Sequence, residues 1–205
     1  MATQARRRHV RKRISQVLKK VEQQLMDGET LPYFEPFCGG CNVLQYFLGN
    51  NGRLIYASDV DPDLIFMWNV IQNTPIRVHN NCLKDEHECS SSLDGLCFLS
   101  TLGKRLTEVS KNIKGITFEG PCSYDEYAPE GMLIYCDPPS GQDRDDDQFW
   151  KTMRKWKENN LVFVAEQSAP GDFIKIWEDP PNKLYIHKEL ASLIPKKIRD
   201  EIRTF

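Results

Sequence analysis

The chain has 205 residues, of which 40% are hydrophobic and 10% aromatic, and its formal net charge is −2. This length suits one α/β domain with a hydrophobic core, and the lack of any run of roughly eighteen apolar residues excludes a transmembrane helix. Seven cysteines, an odd number, without the apolar core of a signal peptide, predict reduced thiols and a cytoplasmic or nuclear location.

The charge is unevenly distributed along the chain. Six basic side chains lie close to the N-terminus: Arg6, Arg7, Arg8, Arg11, Lys12 and Arg13. We expect residues 1–9 to form a basic tail ahead of a single domain that spans residues 10–205. Such a segment is typical of contacts with nucleic-acid phosphates, of a nuclear targeting signal, or of a solvated helix start, and the charge pattern alone does not decide between them.

The first third of the chain shows alternating helical and strand patterns. Apolar residues at helical spacing predict a helix over residues 12–26. The predicted elements that follow are a strand over 31–37, a helix over 42–48, a strand over 54–57 and a helix over 62–72, which Pro62 opens.

The rest of the chain continues this alternation after a polar segment. Residues 74–98 are polar and show no clear pattern, and a helix is predicted over residues 100–112. The later predicted elements are strands over 115–119 and 132–136, a helix over 149–158, a strand over 161–165, a helix over 170–177, a strand over 183–187 and a basic tail. Alternating strands and helices predict a doubly wound, mostly parallel sheet.

Three turns with distinctive residues follow predicted strands: Glu35 to Gly40, Ser58-Asp59 and Asp137-Pro138-Pro139. Because the carboxyl ends of parallel strands share one edge of a doubly wound sheet, we expect these turns to meet in a single cleft.

Each turn offers a particular chemistry. Gly39-Gly40 allows a ligand to approach the backbone closely, and Asp59 follows at the spacing of an acidic residue that binds ribose hydroxyls. Asp137 and the carbonyl of Pro138 can accept hydrogen bonds from an amino group. The alternative is that the glycines form only a turn and that Asp59 only caps a helix.

Five segments resemble Dam-like, phage-type DNA adenine-N6 methyltransferases. They are Phe34-Glu-Pro-Phe-Cys-Gly-Gly40, Ala57 to Ile65, Thr117-Phe118 with Cys122-Ser123-Tyr124, Ile134-Tyr-Cys-Asp-Pro-Pro139, and Val162 to Pro170 with Asp172-Phe173. The first is similar to the family's E-P-F-x-G-G turn and the fourth to its D-P-P-Y motif. The resemblance covers residues 10–187 in the family's motif order.

The resemblance implies a Rossmann-like methyltransferase fold that uses S-adenosylmethionine (SAM) to methylate the exocyclic amino nitrogen of adenine in DNA. The target base would leave the duplex to reach the cleft. The implied catalytic residues are Asp137, Pro138, Pro139 and Ser140. The implied cofactor-binding residues are Arg11, Glu35, Pro36, Phe37, Gly39, Gly40, Asp59, Ser123, Tyr124 and Asp137. Residues 73–116 would correspond to a reduced target-recognition insert.

The sequence departs from the family pattern at two motifs. Ser140 replaces the family's tyrosine, whose ring stacks on the flipped base with about 1–3 kcal/mol of stacking energy, unless Phe149 or Trp150 fills its place. Arg11 or Lys12 stands where the family has a lysine after a glycine-containing turn. A catalytically silent relative that binds SAM or nucleic acid is therefore the alternative, and methylation of RNA or of a protein amide is a third hypothesis.

Two cysteine patterns could carry other chemistry. His79, Cys82, His87 and Cys89 have zinc-ligand atoms, but their spacing is not that of common zinc fingers, so no metal site is predicted. Cys38-x-x-Cys41 overlaps the glycine turn and is interpreted as packing.

Overall fold

The structure is a computed structural model, which describes residues 2–49, 52–74, 76–79, 96–99, 107, 109–139 and 145–205. These described residues form nine strands: β1 Tyr33–Glu35, β2 Ile55–Ser58, β3 Ile76–His79, β4 Leu96–Leu99, β5 Ile116–Glu119, β6 Leu133–Cys136, β7 Leu161–Ala165, β8 Phe173–Asp179 and β9 Asn182–His187. The helices with assigned bounds are α1 Ala2–Leu25, α2 Pro62–Asn73, α3 Asp146–Trp156, α4 Lys188–Leu193 and α5 Lys196–Ile202.

Seven strands form one sheet in the order β5-β2-β1-β6-β7-β9-β8. The pairs within β5-β2-β1-β6-β7 are parallel, whereas β9 runs antiparallel to both β7 and β8. The other two strands, β3 and β4, pair in parallel with each other. This mostly parallel α/β sheet confirms the predicted Rossmann-like methyltransferase fold.

Both faces of the sheet are buried, as strand β6 illustrates. Leu133 and Tyr135 pack on the face covered by α1, α2 and the C-terminal helices. Ile134 and Cys136 point to the other face, where α3 lies. Successive strand residues alternate between faces, and both faces are covered, so every residue of β6 is buried. This agrees with the continuous apolar run of its sequence.

Helix α1 begins much earlier than the predicted residue 12. Residues 2–9, which were expected to belong to a basic tail, form its first turns. Arg6 and Arg13 contact Asp179 at 3.7 and 3.2 Å. Apolar periodicity could not show this start because the first turns are polar and are held by contacts across 166 or more residues of sequence.

Two other predicted helices are wrong. Residues 42–48 form turns around a short 3₁₀ helix, Leu44–Tyr46, which buries Leu44 without a regular α-helix. Residues 170–177 contain most of strand β8 instead of a helix. The register shift between Lys175 and Trp177 breaks the strand's alternation, so its buried residues fall at a spacing that resembles a helix.

The segment after residue 187 also differs from the expected basic tail, because it forms α4 and α5 and buries Ala191 and Ile202. Of the predicted 100–112 helix, residues 109–112 are helical and the first residues lie outside the described chain. No helix in the described ranges combines the length and apolarity that a membrane crossing needs.

Candidate active site

The ends of β1, β2 and β6 place Glu35, Asp59 and Asp137 on one rim of the sheet. These strands are neighbours and parallel, with Phe34 paired to both Tyr56 and Ile134. Their carboxyl ends therefore open on the same side. The structure thus brings together the three turns that the sequence singled out.

The glycine turn is fixed on both sides of Gly39. Gly39 N–H donates to Oδ2 of Asp59 at 3.0 Å, and Gly39 O accepts from Nε1 of Trp68 at 2.8 Å. Cys38 N–H donates to the carbonyl of Ser58 at 2.9 Å. Gly39 has a φ of +43°, which favours glycine, and a Cβ atom at Gly39 would meet no atom within 4 Å. The backbone of this turn is therefore rigid, and the space above it is open.

Asp59 has a structural role whatever else it binds. Its Oδ2 accepts from Gly39 N–H and its Oδ1 accepts from Asp61 N–H at 3.1 Å. The helix cap is a different residue, since Oδ1 of Asp61 accepts from the N–H groups of Asp63 and Leu64 at the start of α2. Each Asp59 oxygen has a further lone pair, so the half-buried carboxylate can still accept bonds from a ligand.

Two tyrosine–carboxyl pairs lie side by side on the rim. Tyr33 donates its hydroxyl to Oε2 of Glu35 at 3.2 Å, and Tyr135 donates its hydroxyl to Asp137. Residues two apart in a strand share a face, which explains why both pairs have this spacing. Both tyrosines are buried, and sequence reasoning missed them although the Tyr-x-acid spacing was visible.

Glu35 is a deeply buried carboxyl, with 3% of its surface exposed. Burial raises the pKa of Glu35 well above its usual range, and the hydrogen bond from Tyr33 only partly opposes this shift. The charge of Asp137 raises that pKa further, whereas a backbone bond from Leu44 and the charge of Arg11 lower it. Burial therefore shifts Glu35 toward its protonated form, and a positive charge beside it shifts it toward the ionised form.

Asp137 lies at the open end of the same rim. Desolvation raises the pKa of Asp137, although its side chain retains solvent exposure. The Tyr135 hydroxyl and the Arg11 guanidinium oppose this rise in pKa, and the charge of Glu166 adds to it. Arg11 acts on both Glu35 and Asp137, whereas its neighbour Lys12 is exposed. The assignment of Arg11 as a cofactor-binding residue stays a prediction.

The loop after β5 closes the rim beside Asp59. Cys122 N–H donates to the carbonyl of Asp59 at 3.3 Å, and a Cβ atom at Gly120 would lie 2.8 Å from the nitrogen of Cys122. Ser123 begins a 3₁₀ turn, and its N–H donates to Oε1 of Glu126 at 3.1 Å. This gives Ser123 a local structural role, so its assignment as a cofactor residue stays a prediction.

Aromatic rings line the other side of this loop. Phe37 and Tyr124 are half-buried, and their ring centroids lie 5.2 Å apart. Phe149 packs against Tyr124 and Trp150. Phe149 and Trp150 both belong to α3, and they are 0% and 8% exposed. Neither Phe149 nor Trp150 offers a free face to a base, so their packing does not support the alternative in which one of them fills the place of the family's tyrosine.

The remaining predicted residues have mixed outcomes. Pro36 and Pro138 are buried, whereas Gly40 and Pro139 are exposed. Ser140 lies outside the described residues, so its effect on base stacking stays a prediction. Asp145 caps α3 by accepting from Gln148 N–H at 3.1 Å.

The cysteine patterns add no chemistry to the rim within the described chain. Cys38 and Cys41 are buried free thiols that contact each other, and the pKa of Cys41 is strongly raised by this hydrogen bond and by burial. The side chains of the four residues with zinc-ligand atoms, His79, Cys82, His87 and Cys89, lie outside what the structure describes. The described residues contain no group of three or more metal-ligating side chains.

Comparison with known proteins identifies one matching family. Residues 11–118, slightly more than half of the chain, match the family model described as D12 class N6 adenine-specific DNA methyltransferase. The match includes the glycine turn and Asp59 but ends before Asp137. No curated protein matches the chain.

Proposed function

This chain belongs to the D12 class N6 adenine-specific DNA methyltransferase family, and on that premise we propose that it transfers a methyl group from SAM to the exocyclic amino nitrogen of adenine in DNA. The observation that carries this proposal is the common rim of Glu35, Asp59 and Asp137, on which the buried Tyr33 and Tyr135 hold two of the carboxyl groups.

The chemistry of the rim fits SAM, which carries a sulfonium, an ammonium group and a ribose diol. Glu35 is a buried carboxyl that a nearby positive charge would stabilise in its ionised form. The remaining lone pairs of Asp59 suit hydroxyl donors. The open space above Gly39 allows a ligand to approach the backbone of a turn that Asp59 and Trp68 already hold in place.

When bound, SAM supplies the electrophilic methyl group. On the protein side, Asp137 and the carbonyl of Pro138 accept hydrogen bonds from the adenine amino group, and these bonds direct the nitrogen lone pair away from the ring. The Tyr135 hydroxyl holds the Asp137 carboxylate in position. The raised pKa of Asp137 makes this carboxylate a better acceptor for the proton that the amino group finally releases.

A second candidate function is a silent relative that binds SAM or DNA without methyl transfer. Burial of Phe149 and Trp150 favours it, since neither ring can substitute for the family's tyrosine beside Ser140. The loss of one stacking ring costs about 1–3 kcal/mol, which corresponds to roughly a tenfold to hundredfold loss of target-base affinity.

Transfer of labelled methyl from SAM to adenine-containing duplex and single-stranded DNA tests the proposal. We expect transfer by the wild-type protein, a loss of about a hundredfold or more in Asp137→Asn, and no change in Asp200→Asn, a matched charge removal on the exposed C-terminal helix. Ser140→Tyr should raise the rate if stacking limits it. SAM binding without any transfer by the wild type or by Ser140→Tyr would instead establish the silent relative.

A further inference from the structure

The first half of α1 lies along the same rim as Asp137. Arg6 donates to the carbonyl of Pro180 at 3.0 Å and Arg13 donates to Asp179 at 3.2 Å, which attaches the helix to the β8–β9 turn. Since β8 and β7 are both antiparallel to β9, they run in the same direction, and β8 ends on the rim with β1 and β6. The basic N-terminal half of α1 is therefore held beside the cleft.

The described basic side chains of this helix segment fall into three sets. Arg6 and Arg13 contact the β8–β9 turn, and the positive charge of Arg11 acts on Glu35 and Asp137. The third set is exposed and is called the basic ridge below; its members are Arg8, His9 and Lys12.

The basic ridge is free to bind an external partner. Arg8 and Lys12 are four residues apart, so they lie on the same face of α1, about 6 Å apart along its axis. Within the described chain, no ion pair engages either side chain, whereas Arg6 and Arg13 are both paired with Asp179.

The opposite side of the cleft has the opposite charge. Helix α3 follows Asp137 along the chain, and its first turn exposes Asp145, Asp146 and Asp147. Carboxylates repel a phosphate backbone, and lysine and arginine attract it. A nucleic acid that delivers a base to Asp137 therefore meets favourable charge on the α1 side and unfavourable charge on the α3 side.

We propose that the basic ridge binds the phosphate backbone of the DNA strand that carries the target adenine. This inference rests on the proposed function for the identity of the substrate. It adds the orientation of the substrate, with the backbone along the first half of α1 and away from the start of α3. The contact is independent of sequence, because phosphate contacts position a duplex and do not read its bases.

The experiment compares salt dependence of DNA binding in two double variants. Arg8→Gln/Lys12→Gln removes both permanent charges of the ridge. Lys111→Gln/Lys114→Gln makes the same charge change on exposed lysines ahead of β5, at the opposite rim. Binding to a short, mixed-sequence fluorescent duplex is measured by anisotropy over a series of salt concentrations, and thermal melts confirm that both variants fold.

Removal of two phosphate-binding charges should reduce the steepness of log affinity against log salt by about 1.8, since each neutralised phosphate contributes roughly 0.9. We expect this change in the ridge variant alone. An unchanged slope in the ridge variant, an equal change in the control, or salt-independent binding by the wild type would each overturn the proposal.

A methyl-transfer assay on the same proteins separates this inference from the proposed function. Transfer with an unchanged slope in the ridge variant would reject the ridge and leave the methyltransferase function standing. Absence of transfer together with the expected decrease in slope would reject the enzymatic function and leave the ridge as a DNA-binding surface.

Discussion

Removal of the Tyr135 hydroxyl tests whether Asp137 acts as an ionised acceptor. Tyr135 donates a hydrogen bond to Asp137, and this bond lowers the pKa of Asp137 against the effect of desolvation. Tyr135→Phe removes that bond, so the pKa of Asp137 should rise further. The acid limb of the pH profile of kcat/KM should therefore move to higher pH.

The strength of the lost hydrogen bond and the exposure of Asp137 set the size of this effect. A hydrogen bond to a charged group contributes about 1.5–3 kcal/mol, and one pKa unit corresponds to about 1.4 kcal/mol. Because Asp137 is exposed, water replaces part of the missing bond, and we expect an effect near the lower end of this energy range. Transfer below the limb should fall about tenfold and should recover at higher pH.

The assay is labelled methyl transfer to DNA over a pH series. Tyr185→Phe is the matched control, because it removes a tyrosine hydroxyl of the same sheet whose hydrogen-bond acceptor is the carbonyl of Gln167, at 3.4 Å, and not Asp137. An acid limb that stays in place in Tyr135→Phe, or one that moves equally in Tyr185→Phe, would refute the role assigned to the Tyr135–Asp137 pair.

Three other predictions concern the turn, the buried acid and the stability of the fold. Trp68→Phe removes the bond to the Gly39 carbonyl, so it should lower the free energy of unfolding by about 1 kcal/mol and weaken SAM binding. Urea titration measures the unfolding free energy and calorimetry measures the SAM affinity. An unchanged SAM affinity would show that the turn does not need Trp68. Since burial raises the pKa of Glu35 and a bound positive charge would lower it, SAM binding should release a proton, and the binding enthalpy should then depend on the buffer. This dependence should disappear in Glu35→Gln, and a buffer-independent enthalpy in the wild type would contradict the assignment. Burial lowers the pKa of His187 from 6.5, so the unfolded chain binds more protons just below that pH, and the free energy of unfolding should fall as the pH drops from about 6.5 to 5. His187→Asn can still cap α4 and should flatten this dependence of the unfolding free energy on pH. An equal dependence in the variant would count against the assignment.

Regular local patterns allowed much of the fold to be predicted. Strand β7 occupies the predicted residues 161–165, and Pro62 opens α2 as expected. The errors occur where local pattern and tertiary structure disagree. In β8 an irregular register gives buried positions at helical spacing, and the start of α1 depends on contacts of Arg6 and Arg13 with a distant turn.

The candidate site shows the same division. The parallel pairing of the strands could be predicted, and with it the meeting of Glu35, Asp59 and Asp137 on one rim. The donors that fix these groups are harder to find, because the bond from Trp68 to Gly39 joins residues 29 apart with no sequence signal. The Tyr-x-acid spacing of Tyr135 was a readable signal for its role.

Mass spectrometry of nucleosides is the most direct measurement of methyl transfer to adenine. Adenine-containing DNA is incubated with the protein and SAM, digested, and analysed for methylated nucleosides. We expect N6-methyldeoxyadenosine with the wild-type protein and its disappearance with Asp137→Asn. Unmethylated DNA despite saturating SAM binding, or equal methylation by Asp137→Asn, would contradict the assignment of Asp137 as the acceptor in an adenine methyltransferase.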